Sequence, residues 1–112
     1  MTPAQQRNAA LCWAAYSLVK DRPSVQMKGF SMRTFAHGDL EVTLATVDQD
    51  GSTLLLDVCH KRLKVAAFRV YADESAETVS INTKMLLEWA PPLCEVAGIK
   101  VNYSTAKPER LH

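Results

Sequence analysis

The residues able to do chemistry in this 112-residue chain are few: His37, Asp39, Asp57, Cys59 and His60 in the middle third, with Cys12 and Cys94 outside it. A nucleophile–base pair would need Cys59 beside His60, but neighbours along a strand point to opposite faces, so that pair makes a poor dyad. His37 and Asp39 flank Gly38, and residues of both types are common beside glycine turns for conformational reasons alone. A metal site from His37, His60 and a cysteine requires hairpins to gather ligands that the sequence keeps apart. No nucleophile elbow, phosphate-cradling loop or metal-ligand spacing occurs. The expectation is therefore no cofactor, no metal and no assigned catalytic residue. A small enzyme or ligand-binding protein, with a pocket between sheet and helices, is carried as a lesser alternative.

A second set is basic: His60, Lys61, Arg62, Lys64 and Arg69. With Phe68 and Tyr71 interleaved it could touch phosphates and stack bases. Against it stands a formal net charge of only +1, with 13 basic and 12 acidic residues, which gives no global field to gather nucleic acid. Lysine and arginine at a hairpin tip also discourage edge pairing. Nucleic acid is an alternative partner, not the favoured one.

The third set is apolar. Leu11, Ala14, Ala15, Leu18 and Val19 form a stripe at helical spacing, with Trp13 and Tyr16 beside it and no charge from Ala9 to Tyr16. That is wider than one docking face requires. Either a second element or another subunit must cover it. Leu11, Trp13, Tyr16 and Val19 are the candidate interface residues, and a homo-oligomer, a dimer first, is expected alongside an unknown protein partner.

These residues must be positioned by ordinary elements. Thr2-Pro3-Ala4-Gln5 starts a helix with a capping box, and Asp21-Arg22-Pro23 ends it near Lys20. Residues 25–37 read as one strand, and His37-Gly38 as the turn after it, which would set Phe35 opposite Leu40 and Arg33 opposite Val42. Residues 39–47, 53–59 and 63–71 alternate as strands joined by an Asp-Gly turn and a basic tip. The 59–70 stretch also fits a helix, but Val58, Val65, Phe68 and Val70 favour strand. Leu54-Leu55-Leu56 serves both faces, so the sheet is expected to be covered on both sides. A polar turn at 73–77 leads to a strand at 78–81. Asn82 or Thr83 then caps a helix that Pro91-Pro92 should stop or kink, and Gly98 closes a further turn. Residues 99–103 read as a last short strand and 104–112 as a frayed tail.

The class is α+β in a single domain, residues 1–112: an N-terminal helix, a mostly antiparallel meander of five or six strands, a Pro-broken helix and a short final strand. Three isolated cysteines in apolar runs suggest reduced, buried thiols and a cytoplasmic protein. The longest apolar run is far below the roughly 20 residues of a membrane helix, so no membrane partner is expected. Many unrelated small domains share this order of elements, and the order alone does not give a function.

Overall fold

The computed structural model describes residues 2–48 and 50–101. Its elements are α1 (Pro3–Val19), β1 (Val25–Met27), β2 (Phe30–His37), β3 (Leu40–Thr46), β4 (Thr53–His60), β5 (Leu63–Tyr71), β6 (Ala76–Ile81) and α2 (Leu86–Ala97). The strands form one six-stranded antiparallel meander in sequence order. The fold is α+β, with an N-terminal and a C-terminal helix around that sheet.

The start of α1 follows from its residue types. Gln5 N donates to Thr2 Oγ1 at 3.1 Å and Thr2 N donates to Gln5 Oε1 at 2.8 Å, a reciprocal capping box with Pro3 in the first turn. At the other end the Arg33 guanidinium donates to the carbonyls of Lys20 and Arg22, at 3.0 and 2.8 Å, so β2 holds the exit of α1.

Alternation along the strands creates two unlike faces. Phe35, Leu40, Val42, Leu44, Leu54, Leu56, Val58, Phe68 and Val70 point inward and join one core with Leu11, Val19, Leu86, Trp89 and Leu93 of the helices. A bulge in β5 leaves Val65 unmatched, and Val65 and Ala66 are both buried there. Trp89 is fully buried, and its ring N–H donates to the Asn82 carbonyl at 3.1 Å. The apolar width of α1 is largely explained by α2, which packs beside it over the same inner face of the sheet.

Six details differ from the sequence expectation. The helix expected to be capped by Asn82 or Thr83 begins at Leu86 with Met85 at its N-cap and no side-chain cap, while Asn82 Oδ1 accepts from Met85 N at 3.2 Å in the turn before it. The 25–37 stretch is two strands, because Lys28-Gly29 forms a tight turn with Gly29 at φ +86°. The next turn is Gly38-Asp39, so Phe35 faces Val42 and Arg33 faces Leu44, a shift of two residues. Among the described residues the inner face alone is covered: no described helix or strand lies on the outer face, where Glu41, Asp57, Lys64 and Arg69 emerge. Pro91 and Pro92 lie inside one uninterrupted helix. The carbonyls they cannot pair belong to Leu87 and Glu88, both exposed residues, so water can satisfy them. Residues 99–101 form no strand; Ile99 and Val101 instead pack against the core. The remainder of that expected strand and the 104–112 tail lie outside the described residues.

Candidate interaction surfaces

The residues first considered for catalysis are not brought together. Within β4 the side chain of His60 points inward, only 7% exposed, while Asp57 and Cys59 sit on the outer face. His37 is exposed at the inner edge of β2 and Asp39 lies in the adjacent turn. Among the described residues there is no cluster of three or more His, Cys, Asp or Glu side chains able to hold a metal ion.

All three cysteines are free thiols. Burial pushes Cys12 up to about 12 and also raises Cys94. Cys59 is raised first by desolvation and then by the nearby Glu41 and Asp57 carboxylates. Contrary to the sequence expectation, Cys59 is half-buried on the outer face and not in the core. Alkylation of the native protein at neutral pH should therefore be slow at every site, with Cys59 modified first and Cys12 last. Mass-resolved labelling checks this order, and rapid modification of any of the three contradicts it.

The basic set is dispersed by the same geometry. His60 turns inward, Lys64 pairs with Asp57 at 3.5 Å, and Arg69 pairs with Glu77 at 3.4 Å on the outer face. Tyr71 donates to Glu77 at 2.7 Å, which lowers the Glu77 carboxyl and raises the Tyr71 phenol. Lys61 and Arg62 remain at the hairpin tip, tied to the neighbouring turn where Lys61 N donates to the Asp39 carbonyl at 2.9 Å. Two cations at a turn make a small phosphate footprint. Replacing both with Ser should change stability by no more than about 0.5 kcal/mol, and fluorescence titration with a single-stranded oligonucleotide should show no sub-micromolar binding at physiological salt.

The helix surface retains less than its sequence suggested. Leu11 and Val19 are completely buried in the chain's own core and offer no surface to a partner. Trp13 is 36% exposed and packs edge-on against the half-buried Tyr16, with ring centres 5.5 Å apart. Beside Trp13 lies a groove of about 740 Å³ between α1 and β6, floored by Ala9, Cys12 and Phe68 and rimmed by Gln5, Asn8, Glu74 and Glu77.

Sequence reasoning missed the outer corner of the sheet. Register places Val25, Met27, Phe30, Met32, Ala45 and Leu55 on the face away from the helices, and Val47 continues the β3 alternation on that side. Val25 is 60% exposed, Met27 45%, Phe30 40% and Val47 52%. The signal was present in the sequence but needed the Lys28-Gly29 turn, which folds Met27 back beside Phe30. No helix in the described residues is long and apolar enough to cross a membrane. No family model, curated protein or solved structure matches this chain.

Proposed function

We propose that this chain is a small non-catalytic binding module that acts through protein–protein contact and associates with itself. The observation that supports it most is the exposed apolar surface: Val25, Met27, Phe30 and Val47 at one corner of the sheet, and Trp13 on the opposite layer. Scattered single apolar side chains need no explanation, but adjacent ones on a flat sheet face do. Farther along the outer face Lys64 pairs with Asp57 and Arg69 with Glu77, and the groups beside the corner itself are the carboxylates Asp48 and Asp50, which suits contact with a protein surface better than contact with a polyanion. Sedimentation of the full chain over a wide concentration range tests the reading. The expected result is a mass that rises above that of one chain as concentration increases. A single-chain mass up to the solubility limit would overturn self-association.

A further inference from the structure

We infer that the open edge of β6, where it borders the groove beside α1, takes up an extended segment of a partner protein as a further strand of the sheet. This rests on the binding-module reading above but not on its self-association. β6 is the last strand of the sheet, and every residue from Ala76 to Ser80 is exposed. The groove is lined by the unbroken run from Glu74 to Thr78. One face of a strand contributes only alternate residues, so an unbroken run means that the groove meets the edge of the strand.

The register says which backbone groups that edge offers. Tyr71 N donates to the Ser75 carbonyl at 2.9 Å, which makes residues 71 and 75 a hydrogen-bonded pair. Alternation then turns the backbone groups of Glu77 toward Arg69, and those of Ala76 and Thr78 away from β5. The N–H and C=O groups of two residues spaced in this way are the set that an added antiparallel strand takes up. The unmatched Val79 closes the run, since a bulge ends regular pairing. Ala76 and Thr78 lie opposite the inward Val70 and Phe68, so side chains facing them on an added strand also fall on the inner side. There the groove offers Ala9, Cys12 and Trp13 of α1 as its second wall.

Charge decides which strand fits. A second copy of β6 does not, because the antiparallel register that uses both Ala76 and Thr78 sets two Glu77 side chains directly opposite each other. Its other registers run into the turn at Glu74, where φ is +68°, or into the Val79 bulge. Glu77 gives one carboxylate oxygen, Oε1, to both Arg69 and Tyr71, at 3.4 and 2.7 Å, and Glu74 stands at the same rim. A lysine or arginine opposite Glu77 meets the other oxygen, while an apolar residue on either side of it reaches the groove. The occupant is thus an extended apolar–basic–apolar segment of another protein. Four backbone hydrogen bonds over so short a run make a weak contact, with a Kd on the order of 100 μM.

The test is titration of the isotope-labelled full chain with the end-blocked peptide Thr-Val-Lys-Val-Thr, followed by amide chemical shifts. The expected result is saturable binding in which the Ala76 and Thr78 amides move most. N-methylation of both peptide valines removes the donors to Ala76 and Thr78 and should abolish measurable binding. Glutamate in place of the peptide lysine should weaken binding at least about tenfold. On the protein, Thr78→Pro removes an edge N–H that no ladder bond uses and should also weaken binding at least about tenfold, with circular dichroism to show that it is folded. The peptide analogues need only the wild-type chain, so they decide the matter even where that variant folds poorly. An N-methylated peptide that binds within about threefold of its parent overturns strand addition. A chain that takes up no peptide at about 1 mM, yet self-associates in sedimentation, overturns this inference and leaves the binding-module reading standing. A chain that does neither overturns both.

Discussion

Trp89→Ala should be the most damaging single change in this protein, lowering stability by about 3–5 kcal/mol. Trp89 is the largest fully buried side chain, at the meeting of α2 with the inner sheet face. Truncation removes its apolar contacts and leaves a cavity that neighbouring groups such as Leu86, Leu93 and Val65 fill only in part. It also removes the N–H that satisfies the Asn82 carbonyl at the junction between β6 and α2. A domain of this size has about 5–15 kcal/mol in total, so the variant should unfold at markedly lower denaturant concentration, and a marginal wild type would lose its fold altogether. Urea unfolding followed by circular dichroism measures the effect. A loss below about 1 kcal/mol would mean that α2 does not sit on the sheet as described.

The second large effect has the opposite sign. Lys61 and Arg62 are the two central residues of the β4–β5 hairpin turn, and both take positive φ, +54° and +67°. A two-residue turn with both centres in that region matches the right-handed twist of its strands, but side chains with a Cβ disfavour the conformation by roughly 1 kcal/mol each. Lys61→Asn with Arg62→Gly keeps the turn and relieves most of that strain. Stability should rise by about 1–2 kcal/mol, a Tm increase of roughly 5 °C or more. Thermal unfolding under identical buffer conditions reads it directly. An unchanged or lower Tm would show that the turn is not held in this form. The Ser double replacement leaves the stability near its starting value, because serine has neither the conformational freedom of glycine nor the tolerance of asparagine for this backbone region.

That turn also shows how far the sequence could be read. Alternation places β3 close to its observed bounds through Leu40, Val42 and Leu44, while β4 and β5 also needed their turn signals and the β-branched and aromatic residues Val58, Val65, Phe68 and Val70. The capping residues gave α1 to within a residue of its observed end. What failed were features without a hydrophobic period. The Lys28-Gly29 turn is marked only by a change of parity, Val25 and Met27 giving way to Phe30 and Met32, which a single strand over 25–37 hides together with the corner. The cost of the two prolines depends on whether the orphaned carbonyls reach water, which the sequence does not show. Coverage of both sheet faces was inferred from apolar residues on both. The structure leaves the outer ones, Met27 and Phe30 among them, at the surface. The interface stripe was half legible: helical spacing identifies Leu11 and Val19 as apolar, but only the position of α2 shows that they are internal.

The meander has a consequence for the birth of the chain. Every strand pairs with its sequence neighbour, so the ladders form from contacts of low sequence separation and should zip quickly. The contact between α1 and α2 is different, because it joins opposite ends of the described chain. During synthesis the sheet and α1 emerge first, and the inner face stays partly bare until Leu86–Ala97 has left the ribosome. The nascent chain therefore passes through an interval in which Leu40, Val58 and Val65 lie open on a nearly finished sheet, and a stop codon placed just before residue 86 should yield a product that aggregates or is degraded.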